Sequence, residues 1–181
     1  MNERVVVVNA GKMNYDHLLD FSVLSNDVQV YDDSTNAELI ERIQGASVVV
    51  TKELPVGAEL LSQFPESVKL IVEAGTGYNN IDLDAARAKG ITVCNIPAYS
   101  TERVAHTAIM MLLNFASTMQ QQIGMLARGD RSNFTKHLQV PHTEVNGKTL
   151  GIIGAGHIGM AVVKVAKALD MNILIHTRTP K

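Results

Sequence analysis

The glycine-rich stretch from residue 151 to residue 159 has the spacing that most directly predicts chemistry in this sequence. A G-x-G-x-x-G pattern, 154–159, follows the apolar run 149–153 and precedes apolar residues at helical spacing and a strand-like segment, 172–175. In such a strand–turn–helix–strand unit the first glycine makes the tight turn, the second admits a pyrophosphate and the third allows the helix to pack on the strand. Free N–H groups at the helix start then hold the phosphates. The predicted dinucleotide-binding residues are Gly154, Gly156, His157, Ile158 and Gly159.

The residues after the second strand of this unit predict which dinucleotide binds. An NAD site has an Asp or Glu there for the ribose hydroxyls, whereas this sequence has His176, Thr177, Arg178 and Thr179. Arg178 can bind a 2′-phosphate bidentately, and the two threonines can donate hydroxyl groups. The pattern favours NADP over NAD. The alternative is that Arg178 is simply a solvated basic residue.

A second glycine loop, residues 74–82, follows another strand-like run. Ligands of open parallel sheets lie beyond the carboxyl ends of the strands. Gly75 and Gly77 would allow backbone N–H groups to point at an anion, for which a carboxylate is the natural candidate. An ordinary tight turn is the alternative interpretation.

The elements that must position these loops alternate between strand and helix. Five strand-like runs (4–8, 28–31, 46–50, 69–72 and 91–94) are separated by helical segments, among them 35–43 with a capping-box pattern and 82–88 with Asp82 as its cap. This alternation predicts an α/β fold with a flavodoxin-like parallel sheet. We expect a substrate domain at 1–98, a hinge at 96–98, and the first βαβ part of a Rossmann domain at 99–181. A weak helix is expected at 15–21.

The segment 104–116 is apolar nearly all round, which predicts a helix buried either in a core or between subunits. Residues 120–145 are polar and are expected to form an irregular arm over a neighbouring subunit. Together these features predict a homodimer formed through residues 101–145.

Composition limits the remaining possibilities. The 181 residues are 46% hydrophobic and 19% charged with a net charge of −2, so nucleic acid is not an expected partner. Cys94, the one cysteine, is expected to be a buried thiol in a cytoplasmic protein. No signal peptide or membrane span is visible. The histidines, including His137 and His142, lack partners at metal-ligand spacing, so no metal site is predicted.

Several stretches resemble the D-isomer-specific 2-hydroxyacid dehydrogenase family: residues 74–82, 90–97, 104–105 and 147–154. The resemblance covers essentially the whole chain, and the 74–79 stretch is similar to glycerate dehydrogenase or hydroxypyruvate reductase-like members. It implies an NAD(P)-dependent enzyme that exchanges a hydride with a small 2-hydroxy or 2-oxo acid. By the same resemblance the backbone of Thr76 and Gly77 holds the substrate carboxylate, Lys52 lies near it, and Val104 lies near the nicotinamide.

The resemblance also implies what this chain lacks. In the family, an arginine, a carboxylate and a histidine that act on the acid follow the second nucleotide-domain strand, and this sequence ends there, at Lys181. We therefore expect a truncated form that is inactive alone. His106, where the family has a Glu, is the one candidate for an acid. The alternative function is a non-catalytic nucleotide-binding or oligomerisation module; an FMN-binding flavodoxin is disfavoured because the early loops lack a Ser/Thr-rich turn.

Overall fold

The chain folds into two compact units, each with its own hydrophobic packing. The structure, a computed structural model, describes residues 3–178. Unit 1 is Met1–Pro97 and unit 2 is Ala98–Lys181. Each unit is described by itself below.

Unit 1 is built on five parallel strands: β1 (Arg4–Val7), β2 (Asp27–Val30), β3 (Val48–Thr51), β4 (Leu70–Glu73) and β5 (Thr92–Asn95). Their order in the sheet is β2-β1-β3-β4-β5. Three helices connect them: α1 (Asn36–Arg42), α2 (Ala58–Ser62) and α3 (Leu83–Ala88). The predicted flavodoxin-like parallel sheet is therefore confirmed.

Both faces of the central strands are covered, which explains the unbroken run of valines in β1. Val6 and Val8 pack into a core with Leu39 and Leu61. Val5 and Val7 point to the other face and pack with Ala10 and Val50. A strand buried on both sides needs apolar residues at every position rather than at alternate ones.

The predicted helix boundaries follow from capping. The Thr35 hydroxyl accepts from the Glu38 N–H at 3.4 Å, and the Glu38 carboxylate accepts from the Thr35 N–H at 2.9 Å, which completes the capping box of α1. The Asp82 carboxylate accepts from the Ala85 N–H at 2.9 Å at the start of α3. Gly90 follows the end of α3 with a φ of +69°, which suits glycine.

Two expectations for unit 1 were wrong. Residues 15–21 form no α-helix; the nearby elements are 3₁₀ helices at Ala10–Lys12 and Phe21–Leu24, the second capped by Asp20. Cys94 is exposed rather than buried. It lies on β5, the edge strand of this sheet, where the covering is incomplete.

Unit 2 contains α4 (Thr101–Ser117), α5 (Met119–Ala127), α6 (Ser132–Thr135), β6 (Thr149–Ile153), α7 (His157–Ala168) and β7 (Asn172–His176). Strands β6 and β7 pair in parallel, with Leu150 opposite Ile173. The core of the unit joins α4 to α7 through Ala105, Ile109, Val162 and Ala166. This is the strand–turn–helix–strand unit that the glycine pattern predicts.

Residues 120–145 are more ordered than expected. Helices α5 and α6 occupy part of the segment, so an irregular conformation is wrong for 120–127 and 132–135. The buried Asn133 explains the order, because its Oδ1 accepts from the Gln139 N–H at 2.7 Å and the Val140 N–H at 3.3 Å. The Thr143 N–H then donates to the Ala116 carbonyl at 2.7 Å, which returns the segment to the end of α4.

Helix α4 is buried on one side only. Ala105 and Ile109 face the core of unit 2, whereas the side chains of Met110, Met111 and Phe115 are exposed, Phe115 by 83%. Burial of the whole helix in a core of its own chain is therefore wrong. Within residues 3–178, no helix has the length and apolar character needed to cross a membrane.

Candidate functional site

The carboxyl ends of β1 and β3 are joined by one side chain. Asn9 is 1% exposed; its Nδ2 donates to the Lys52 carbonyl at 2.6 Å, and its Oδ1 accepts from the Lys52 N–H at 2.9 Å. Both backbone groups of Lys52 are thus held by a residue 43 positions earlier in the chain. The backbone from which the Lys52 side chain emerges is consequently fixed.

A buried carboxylate joins the loop after β3 to the glycine loop after β4. Glu73 is 0% exposed. Its Oε1 accepts from the Glu53 N–H at 3.0 Å, and its Oε2 accepts from Asn80 Nδ2 at 2.9 Å. Asn80 Nδ2 also donates to the Leu54 carbonyl at 2.8 Å. A buried charge is tolerated only when it is well hydrogen-bonded, so this network fixes both loops together.

The glycine loop itself presents donors. The Gly75 carbonyl accepts from the Ile96 N–H at 2.9 Å, and the Thr76 carbonyl accepts from Asn95 Nδ2 at 2.8 Å. In the described part of the chain, by contrast, the amide N–H groups of Thr76 and Gly77 have no protein acceptor. Held carbonyls beside unbonded N–H groups form a place where an anion can bind.

The Lys52 ammonium group lies over this loop. A Cβ added at Gly75 would lie 2.9 Å from Lys52 Nζ and 3.1 Å from Glu73 Oε1, so a larger residue there would require the Lys52 side chain to move. Lys52 Nζ is also 3.0 Å from Glu53 Oε1. The hydrogen bond and charge of Lys52 lower the pKa of the Glu53 carboxyl. The structure therefore places the Lys52 ammonium beside Gly75, the residue next to Thr76 and Gly77 in this loop.

In unit 2 the glycine pattern has the conformation expected of a dinucleotide fingerprint. Gly154 has a φ of +96°, and its N–H donates to the His176 carbonyl at 2.8 Å. A Cβ at Gly156, the N-cap of α7, would meet no atom within 4 Å, so the space beside it is open. A Cβ at Gly159 would lie less than 3.0 Å from the Gly154 carbonyl oxygen, which makes that position glycine-only. The first N–H groups of α7 have no partners within the helix.

A groove of about 500 Å³ runs beside this turn within unit 2. Thr101 and Glu102 line one side of it, and Gly156, His157 and Lys164 line the other. Two residues of helix α4 were predicted to act here, Val104 near the nicotinamide and His106 as an acid, and neither lines this groove. His106 faces a second groove, of about 420 Å³, with Met110 and Val165, and Val104 is 43% exposed.

The predicted 2′-phosphate residues are only partly described. Arg178 is exposed and Thr177 is half-buried just after β7, while Thr179 lies outside the described residues. No carboxylate follows β7 at this point.

One histidine, His106, lies beside a carboxylate in the described part of the chain. Its Nε2 lies 3.9 Å from Glu102 Oε2 on an exposed helix surface. No group of three His, Cys, Asp or Glu side chains in that range could hold a metal ion.

Three residues at the unit 1 site were not predicted from sequence. Asn9 and Asn80 gave no local signal, because their partners lie in distant segments. Glu73 stands at the end of a strand-like run, but its burial is not visible in the sequence. The signal that was available is positional, since each stands at or after the carboxyl end of a strand, where ligand loops lie.

Comparison with known proteins assigns the family. Residues 5–173 match the profile described as "D-isomer specific 2-hydroxyacid dehydrogenase, catalytic domain". The chain belongs to this family, which confirms the resemblance noted in its sequence.

Individual relatives match over most of this chain, but this chain spans only about half of their length or less. The glycerate dehydrogenase of Methylorubrum extorquens is 35% identical over 142 residues, 77% of this chain and 45% of that protein. The D-3-phosphoglycerate dehydrogenase of Methanocaldococcus jannaschii is 39% identical over 150 residues, 82% of this chain and 28% of that protein. The crystal structure of D-lactate dehydrogenase from Aquifex aeolicus, complexed with NAD and lactic acid, matches with a TM-score of 0.84 and 26% identity over 98% of this chain and 52% of that one.

Proposed function

We propose that this chain supplies the acid-binding loop and the first part of the dinucleotide site of an NAD(P)-dependent 2-hydroxyacid oxidoreductase. The substrate is a small 2-hydroxy or 2-oxo acid. The bound nicotinamide would supply the hydride to the C2 carbon of the acid, or accept it from that carbon. The observation that carries the proposal is the pair of unbonded N–H groups at Thr76 and Gly77, in the loop where the Lys52 ammonium approaches Gly75. Family membership supports the same reading.

The residues of unit 2 fit a dinucleotide. The open space at Gly156 and the free N–H groups at the start of α7 suit a pyrophosphate. We propose NADP in preference to NAD, because Arg178 and Thr177 follow β7 where a carboxylate would repel a 2′-phosphate. NADPH should bind this chain at least tenfold more tightly than NADH, and Arg178→Gln should remove most of that difference. Equal affinities for the two cofactors, measured by titration calorimetry, would argue for NAD instead.

We further propose that the 181-residue chain binds its ligands without turning them over. His106 is the only described histidine near a carboxylate, it is exposed, and it faces a different groove from the glycine fingerprint. The test is NADPH oxidation by material of verified intact mass, with hydroxypyruvate and glyoxylate as substrates. Turnover comparable to that of an ordinary dehydrogenase would contradict this part of the proposal, and loss of that turnover in His106→Gln would identify the acid.

A second candidate function is a non-catalytic nucleotide-binding or oligomerisation module, for which we propose a homodimer formed through residues 101–145. The exposed apolar side chains of Met110, Met111, Leu113 and Phe115 on α4 favour association, because a patch of this kind is seldom left in water. Tight NADPH binding in a dimer without turnover by any form of the protein would favour the module. We place the protein in the cytoplasm, consistent with a single, exposed cysteine.

A further inference from the structure

Three charged side chains gather where the strands of unit 1 end. Lys52 Nζ lies 3.0 Å from the Glu53 carboxylate. Glu73 Oε1 and Lys52 Nζ both lie about 3 Å from the same point above Gly75. The Lys52 ammonium therefore lies close to two carboxyl groups, which leaves it without surplus positive charge.

The Lys52–Glu53 pair is built into the fold. Asn9 holds both backbone groups of Lys52, and Glu73 accepts the Glu53 N–H. Glu53 itself has a φ of +54°, a conformation that few residues other than glycine adopt. The backbone of both residues is held in this way, and the Glu53 carboxylate lies beside the Lys52 ammonium although 68% of the Glu53 side chain is exposed.

From this arrangement we infer that Glu53 is a specificity-determining residue, which by neutralising Lys52 makes the site select a short acid with one carboxylate over an acid that also carries a phosphate ester. The inference rests on the proposed function, since it takes the Thr76–Gly77 loop as the carboxylate site. The relatives are named for two kinds of substrate, glycerate and 3-phosphoglycerate, and the role inferred for Glu53 distinguishes between them.

The physical reason is the charge of the second group. A phosphate ester carries roughly −1.5 to −2 at pH 7. Two unit charges about 6 Å apart in water interact strongly enough to change an equilibrium about threefold. Glu53 should therefore weaken binding of a phosphorylated acid, relative to its unphosphorylated counterpart, by about three- to tenfold at low salt.

The experiment is a pair of titrations of the ¹⁵N-labelled 181-residue chain, one with D-glycerate and one with 3-phospho-D-glycerate, followed at the amide signals of Thr76 and Gly77. Glu53→Gln removes the charge at nearly constant shape. Glu53→Gly also removes it and suits the positive φ, so it serves if the first variant folds poorly. Glu66→Gln is the matched control, because Glu66 is an exposed carboxylate at the amino end of β4.

We expect glycerate to shift both amide signals, and 3-phosphoglycerate to bind the natural chain no more tightly than glycerate. In Glu53→Gln and Glu53→Gly the affinity ratio should move toward the phosphorylated acid by about three- to tenfold, while Glu66→Gln should leave it unchanged. The inference would be overturned, with the proposed function left intact, if the natural chain bound 3-phosphoglycerate tenfold more tightly than glycerate. The same holds if the ratio of the two affinities did not change in the Glu53 variants. Absence of any shift with glycerate would instead reject the carboxylate site of the proposed function, and the inference with it.

Discussion

The glycines of the fingerprint should respond to alanine in different ways, according to what each added methyl group meets. At Gly159 it would overlap the Gly154 carbonyl oxygen, so the turn or the helix has to move. We expect Gly159→Ala to cost about 3 kcal/mol, the upper part of the range for overpacking. At Gly156 it would meet nothing within 4 Å, so the expected cost in stability is under about 1 kcal/mol.

Cofactor binding should separate these variants further. The methyl group of Gly156→Ala would stand in the space proposed for the pyrophosphate, so we expect at least about a tenfold loss of NADPH affinity in a well-folded protein. Gly151→Ala in β6 is the matched control, because its methyl group also meets nothing within 4 Å and lies in a strand. It should retain both stability and cofactor affinity.

The measurements are urea unfolding, followed by circular dichroism, and NADPH titration of each variant. The expected pattern is an unstable Gly159→Ala, a stable Gly156→Ala that binds weakly, and a Gly151→Ala like the natural chain. If Gly156→Ala binds NADPH normally, the pyrophosphate does not lie at this turn. If Gly159→Ala is as stable as the control, the close approach of α7 to β6 is wrong.

Three further perturbations test other parts of the structure. Glu73→Gln places an amide N–H₂ against the Asn80 donor, and should lower the free energy of unfolding by about 1–3 kcal/mol; a urea midpoint unchanged from the natural chain would contradict the network. The hydrogen bond from the Thr35 N–H lowers the pKa of the Glu38 carboxyl below its ordinary value of 4.5. The ionised carboxylate therefore contributes to stability above pH 4.5, and this contribution is lost as the pH falls below that value. The melting temperature of Glu38→Gln should depend less on pH below 4.5 than that of the natural chain, and an identical pH dependence would be evidence against this contribution. Phe115→Glu should sediment as a monomer, whereas Leu18→Glu, at an equally exposed position in unit 1, should sediment as a dimer. The same sedimentation mass for both variants would count against the proposed dimer surface.

The strands and caps could be predicted because their signals are local. The valines of β1 and β3 are consecutive, and the pairs Thr35–Glu38 and Asp82–Ala85 lie within one helical turn. The glycine fingerprint is equally local, since spacing alone determines which residues turn the chain and which admit a ligand. These local features predict the correct fold class without any knowledge of tertiary contacts.

The parts that failed depend on contacts between distant segments. Cys94 reads as a core residue, but it is exposed because β5 has no neighbour on one side. Asn133 orders residues 130–140 by hydrogen bonds from its side chain, which no hydrophobic period reveals. The balance of charge around Lys52 was also hidden, since Glu73 joins it only when β3 and β4 pair.

The Asn9 side chain also bears on which ligands this end of unit 1 can accept. In sheets with this strand order, a flavin or nucleotide binds between the ends of β1 and β3, where the direction of winding reverses. Here Asn9 spans the ends of those two strands with its two hydrogen bonds to Lys52. A ligand inserted there would have to break the hydrogen bonds of a buried amide. The small-acid site proposed for unit 1 lies one strand further along, after β4, where no such bond has to be broken.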